Sequence, residues 1–289
     1  MYDDRPLVEE RIARELTERV LPLVHPERVP LAVEAGPTLD ELAPFEIGGR
    51  WGAPWSTTWF RFTGGVPAAW AGGRVEALLD LGFAADAPGF QCEGLVRDAK
   101  GRPVQGIHPR RQAVPVRAEP GPVELVVEAA ANPMFPQFRP SPLGSPATAG
   151  TAELYRLRRA ELVRVDPTAE ALFHDLYVLD GVMRALPLDD PRRAQLRTAI
   201  VRALEIVARP SPGFLDAART AVAPALAVPA RASAHRIVAT GHAHIDTAWL
   251  WPLRETVRKC TRTFASAVAL MDDAPDFRFV CSQAQQYAW

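Results

Sequence analysis

Residues 236–252, "RIVATGHAHIDTAWLWP", decide how this chain is read. Ile237 to Thr240 is a short apolar run that predicts a strand, and two histidines, an aspartate and two tryptophans follow it at once. Next, Glu255 to Met271 carries Val257, Cys260, Phe264, Val268 and Met271 at helical spacing, and Phe277 to Cys281 predicts a second strand. Strand, helix and strand in that order open a parallel α/β domain. A single βαβ unit cannot cover both faces of a sheet. The sequence, which stops at Trp289 inside the next connection "SQAQQYAW", is therefore expected to be the N-terminal part of a longer protein.

Ligands of α/β folds gather at the C-terminal ends of the strands. If the backbone stays extended past Gly241, then His242, His244 and Asp246 share one side, because side chains alternate along a strand. Imidazole nitrogen and carboxylate oxygen are natural zinc ligands, and cobalt accepts the same donors. A catalytic zinc takes at least three ligands from its protein, so this segment is read as half a site. Metallo-β-lactamase-like hydrolases need a further histidine directly after the aspartate, where this chain has Thr247. Metal-dependent amidohydrolases also begin with H-x-H, and that reading stays open on the residues alone. His25, His108, His174 and His235 fall in helix, loop or linker contexts and are not read as ligands.

Upstream, the period of the pattern changes twice. Val8, Ile12, Leu16 and Val20 predict an amphipathic helix over residues 6–21. From Arg50 to about Phe135 the period is two: "STTWFRF", then Val75, Ala77, Leu79 and Leu81 around Glu76 and Asp80, then Val123, Leu125, Val127 and Ala129 around Glu124 and Glu128. Such strands, with one wet face and Gly/Pro turns between them, predict an antiparallel β-sandwich. Residues 132–150 are rich in Pro, Gly and Ser and read as an irregular linker. Asp166-Pro167 and Asp190-Pro191 each place a capping carboxylate before a first-turn proline. One heads a face of Leu172, Leu176, Leu179, Met183 and Leu186, the other a face of Leu196, Ile200, Leu204 and Val207. Residues 151–163 are taken as a third helix of that region, and 208–235 as a second linker.

The expected organisation is multidomain: an N-terminal helical segment over 1–40, an all-β sandwich over 41–140, a linker and helical region over 141–233, and the first βαβ unit of an α/β domain over 234–289. A net charge of -1 and a pI near 6.6 offer no pull toward nucleic acid or an anionic membrane. Three scattered cysteines, Cys92, Cys260 and Cys281, indicate neither a disulfide framework nor a zinc knuckle. With a charged N-terminus and no long apolar run, the expectation is a cytoplasmic protein acting on a small neutral partner; a homo-oligomer is compatible with this.

The segment from Gly241 to Trp289, with "HIDTAWLWP", "RET", "RTF" and "SQAQ", closely resembles the opening of the catalytic domain of glycoside hydrolase family 38, the class II α-mannosidases, in their cytosolic type. "WGAPWSTTWFRFTGGVP", "EGLVRDAKGRPVQGIHP" and "ELVVEAAAN" are similar to the β-rich N-terminal domain of the same enzymes. The resemblance implies an α/β catalytic barrel and a retaining hydrolase of terminal α-mannose in oligosaccharides or glycosides. It also implies a zinc ion held by His244 and Asp246, which binds the sugar hydroxyls at C2 and C3. Retention needs two carboxyl-type groups across the scissile bond. In the family the nucleophilic aspartate and the last histidine ligand come later in the chain. No catalytic residue is therefore expected within these 289 positions, and the fragment is expected to be inactive.

Trp249 is read as an apolar platform for the sugar, as the resemblance favours, and His242 as a group orienting the ligands from behind. Trp251 is read as packing beside Pro252, and Arg254 with Glu255 as an ion pair or substrate contact at the helix start. Trp51, Trp55, Trp59 and Trp70 admit a non-catalytic carbohydrate-binding role for the sandwich, although aromatic residues in strands are mostly core.

Overall fold

The computed structural model describes residues 4–84, 89, 91–134, 150–230, 232–247 and 251–289. Two compact units are formed, one by Met1–Arg28 with Val163–Arg236 and the other by Val29–Leu162 with Ile237–Trp289.

The first unit is helical. Helix α1 (Arg5–Glu15) passes through a π-turn, Leu16–Val20, into α2 (Leu21–Val24), and α3 (Pro167–Ala185), α4 (Pro191–Val207) and α5 (Phe214–Leu226) complete it. Its caps are those the sequence predicts. The Asp166 carboxylate accepts from the N–H groups of Thr168 and Ala169, and that of Asp190 from the N–H of Arg192. Ile12, Leu16 and Val20 pack with the α3 face, Leu172 to Met183, and the α4 face, Leu196 to Val207, in one core. Burial would strand the Glu9 carboxylate, but Arg193 meets it at 2.5 Å.

The third helix is not where it was expected. Residues 151–163 hold strands, while α5 lies in the presumed second linker and buries Ala218 and Val222. Phe214, Ala218 and Val222 do recur at helical spacing, but Pro224 and the flanking prolines mask the pattern.

The second unit contains the sandwich. Its strands are β1 (Glu27–Pro30), β2 (Ala32–Gly36), β3 (Ala43–Pro44), β4 (Arg50–Trp51), β5 (Thr57–Val66), β6 (Arg74–Asp80), β7 (Glu93–Asp98), β8 (Pro103–Ile107), β9 (Ala113–Val116), β10 (Gly121–Ala130), β11 (Tyr155–Arg156) and β12 (Arg159–Val165). One sheet runs β3-β2-β5-β10-β7-β8 and the other β1-β12-β6-β9, with β4 paired to β11. The sheets therefore take in strands on both sides of the expected 41–140 range. The antiparallel register sets Phe62 opposite Leu125 and Phe60 opposite Val127. These residues, with Val75, Ala77, Leu79 and Leu162 of the other sheet, form one core, as period-two alternation requires. Trp51, Trp55 and Trp70 are buried, and Trp51 donates to the Leu81 carbonyl at 2.7 Å. Of the expected linker over 132–150, residues 135–149 lie outside the described residues.

The same unit carries the βαβ element: β13 (Gly241–Ala243), α6 (Leu253–Asp273), β14 (Phe279–Cys281) and a closing turn of helix, α7 (Ala284–Ala288). The two strands pair in parallel, with Gly241 opposite Phe279 and Ala243 opposite Cys281. The first strand is therefore at 241–243 and not at 237–240. Ile237 and Val238 remain 85% and 83% exposed, because the partner strand aligns with the glycine and its successors.

Helix α6 lies against the outer face of the six-stranded sheet, and its buried face is charged. Glu255, Lys259 and Arg262 are buried, whereas Val268 of the expected apolar stripe is exposed. Alternation explains this arrangement. With Val96 and Val127 turned into the sandwich core, Glu93 and Glu128 point outward. The helix meets them with Lys259, Arg262 and Arg258, at 3.0, 2.8 and 3.0 Å. The apolar stripe serves the βαβ unit instead: Phe264 packs against Phe279 and stacks on Tyr287. Gly106 permits the close approach, since a Cβ there would sit 2.9 Å from the Arg262 carbonyl oxygen.

Candidate metal centre

Beyond Ala243 the chain leaves the strand and presents His244 and Asp246, 70% and 39% exposed at their side chains. Ile245 between them is buried. Nε2 of His244 lies 3.2 Å from Oδ1 of Asp246. Two ligands at zinc bond lengths of about 2.0–2.1 Å and a tetrahedral angle stand about 3.3 Å apart, so the donor types and their separation both fit the ion. His242 is exposed and does not hydrogen-bond to either residue among the described contacts. Trp249 lies outside the described residues. Among the described residues no group of three or more potential ligands converges, so what is present is a pair.

The loop that carries the pair is held by its carbonyls. Gln286, buried in α7, donates its amide to the Ile245 carbonyl. Trp251 Nε1 donates to the Asp246 carbonyl at 3.2 Å and to Thr256 Oγ1 at 3.0 Å, and Thr256 Oγ1 lies 3.0 Å from the Thr247 carbonyl oxygen as its donor. The Thr247 hydroxyl in turn donates to Gln283 Oε1 at 2.5 Å. Three consecutive carbonyls are thus fixed by Trp251, by Thr256 of α6 and by Gln286 after β14, while the His244 and Asp246 side chains stay exposed.

Trp251, Thr256, Gln283 and Gln286 were not legible as site residues. The glutamine run "QAQQ", residues 283–286, offered one signal, since an amide that becomes buried, as Gln286 does, needs partners. Trp251 does not simply pack beside Pro252. The Lys259 ammonium lies 4.9 Å from its ring centroid, and Arg254 and Glu255 turn away to bind Trp55 O and Arg262.

A cavity of about 510 Å³, within the range of small-molecule sites, adjoins the pair. His242, His244, Asp246 and Trp251 line it from the βαβ unit, and Glu93 and His108 from the sandwich. Burial pushes the His108 imidazole below its ordinary value, and its Nδ1 accepts the N–H of Arg110 at 3.3 Å. Burial by itself raises Glu93, but Lys259 and Arg262 outweigh it and hold the carboxyl at about 2, against an ordinary value of 4.5. A depressed carboxyl stabilises the fold at pH values above its unfolded pKa, and the contribution is lost as pH falls through the folded one. The contribution of Glu93 is therefore complete at neutral pH and fades between about 4.5 and about 2. Acid titration followed by tryptophan fluorescence should show a transition in that window, and Glu93→Gln should diminish it.

Asp272, Asp273 and Asp276 sit at the far end of α6 and the turn after it, away from the strand tips. They do not complete the centre. No helix among the described residues is long and apolar enough to cross a membrane.

Comparison with known proteins gives the context. Residues 18–163 match the family described as "Alpha-mannosidase, jelly roll domain", and residues 234–289 the "Glycosyl hydrolases family 38 N-terminal domain". The chain is 34% identical over 274 residues to human "Alpha-mannosidase 2C1", covering 91% of the chain and 24% of that protein. It is 30% identical over 270 residues to "Alpha-mannosidase" of Saccharomyces cerevisiae, covering 86% of the chain and 23% of that protein. "Alpha-mannosidase G" of Dictyostelium discoideum is 28% identical over 256 residues, at 84% and 22%. The chain thus spans about a quarter of the length of these relatives. With the sandwich and the βαβ unit each matched to its own segment, the chain belongs to the α-mannosidases of glycoside hydrolase family 38.

Proposed function

We propose that the complete protein hydrolyses terminal non-reducing α-mannose residues with retention of configuration, and that His244 and Asp246 are two of its zinc ligands. The observation that carries this reading is the 3.2 Å His244–Asp246 pair at the tip of the first parallel strand of a family 38 chain. When bound, zinc supplies a Lewis-acid clamp on the hydroxyls at C2 and C3 of the sugar. His244 offers Nε2 and Asp246 Oδ1 to the ion, while Trp251, Thr256 and Gln286 keep both from swinging by holding the backbone between them. Trp249 is assigned the apolar face of the sugar, and His242 a supporting position behind the ligands.

Retention needs a nucleophile and an acid/base group about 5–5.5 Å apart. Glu93, the other described carboxylate lining the cavity, is bound by Lys259 and Arg262, so both roles are assigned to chain outside these residues, and the 289 residues alone should not turn over substrate. Cobalt should substitute for zinc, because the donor set suits both. The assigned compartment is the cytoplasm. A sugar-binding role for the sandwich draws no support from Trp51, Trp55 and Trp70, which are buried, and Trp59 is half-buried.

The test is hydrolysis of an aryl α-mannoside by the full-length enzyme before and after chelation. Activity should vanish with the metal and return on adding zinc or cobalt. Turnover that survives complete metal removal would overturn the reading.

A further inference from the structure

We propose that Lys259 is a positioning residue for the His244–Asp246 pair, carrying the grip of a sandwich carboxylate, Glu93, through the Trp251 ring to the backbone of the ligand loop. The proposal rests on the reading of that pair as a metal site.

The path is continuous. Glu93 begins β7 and is buried on the outer face of the sheet. Its Oε1 accepts from Lys259 Nζ at 3.0 Å, and the same ammonium donates to the Gly89 carbonyl at 2.9 Å. These two acceptors fix Nζ over the Trp251 ring, 4.9 Å from its centroid. A desolvated cation over an indole is a favourable contact that sets the plane of the ring. The edge of that ring then points Nε1 at the Asp246 carbonyl, 3.2 Å away. Asp246 therefore has its carboxylate in the ligand pair and its carbonyl in this chain of contacts.

Residue chemistry separates the task of Lys259 from that of its neighbours. Arg262 and Arg258 also bind the sheet, through Glu93 and Glu128, and these planar forks suit fixed carboxylates. Among the described contacts, the cation over the Trp251 ring is Lys259. A compact ammonium with three rotatable donors is the group that satisfies two oxygens and a ring face together. In a chain with 33 lysines and arginines, Lys259 is one of only two lysines, the other being Lys100. The sandwich also holds a strained residue where it meets the start of α6. Trp55, at φ 64°, is the one non-glycine residue with positive φ among those described, and its carbonyl accepts from Arg254 at 2.7 Å.

The experiment compares the full-length enzyme with three variants by cobalt titration, following the visible d–d spectrum together with the melting temperature. Lys259→Met keeps the length of the stem and removes the charge. Trp251→Phe keeps a ring under the ammonium and removes the N–H. Glu128→Gln weakens the sheet contact of Arg258 without touching the path. Lys259→Met and Trp251→Phe should each weaken cobalt binding about tenfold or more and alter the spectrum, as loss of ligand-supporting contacts does. Glu128→Gln should leave affinity and spectrum unchanged even if it melts earlier. Wild-type affinity and spectrum in Lys259→Met would overturn the proposal; if that variant does not fold, the same result in Trp251→Phe overturns it. A wild-type enzyme that binds no cobalt would instead overturn the metal reading.

Discussion

His244→Ala in the full-length enzyme should lose bound zinc and α-mannosidase activity together. The loss should exceed the roughly 10- to 100-fold that follows from changing ligand-supporting residues. The physical reason is the small number of donors. A zinc centre has four protein or substrate positions, and removing one imidazole leaves Asp246 to supply this strand's share alone. The fold should not suffer, because the side chain is 70% exposed and is hydrogen-bonded, among described residues, only to Asp246. Metal analysis of the purified variant beside its melting curve checks both halves: an unchanged zinc content would remove His244 from the ligand set.

The second large effect is on stability. Glu93→Ala should destabilise the 289-residue chain by about 3–5 kcal/mol, the range for breaking a buried ion pair from one side. Lys259 and Arg262 would be left buried with their shared counter-charge gone, although Arg262 keeps Glu255. Glu34→Ala removes a half-exposed partner of Arg61 and should cost only about 0–1 kcal/mol. Denaturant unfolding of the two variants checks the contrast, and equal, small losses would show that the charged face of α6 does not hold it to the sheet. Replacing the whole cluster with matched apolar residues is a different experiment and need not destabilise at all.

Much of this architecture was legible because local chemistry and global packing agree. Asp166 and Asp190 cap the helices they precede, Phe60, Phe62 and Val127 alternate into one core, and β13 pairs in parallel with β14. Apart from α5, whose pattern prolines mask, what was misread has one common cause, the partner of each segment. Residues 151–163, taken as a helix, instead hold β11 and most of β12, and Tyr155 of β11 lies opposite Trp51. Ile237 and Val238 have strand propensity but no strand beside them among the described residues. The charged face of α6 cannot be recognised as buried until the outward carboxylates of β7 and β10 are in place.

The site divides in the same way. That His244 and Asp246 come together was legible in residue type and close spacing, and their side chains do meet at 3.2 Å; their role as ligands is proposed. Trp251, Thr256, Gln283 and Gln286 were not legible, because their role depends on carbonyls and a Thr247 hydroxyl that only the folded loop presents.

Anomalous diffraction at the zinc edge from crystals of the full-length enzyme shows whether these two side chains hold the catalytic metal of an α-mannosidase. A peak is expected about 2.0–2.2 Å from both His244 Nε2 and a carboxylate oxygen of Asp246. A zinc peak elsewhere in an active enzyme, with this pair unligated, would contradict the ligand assignment.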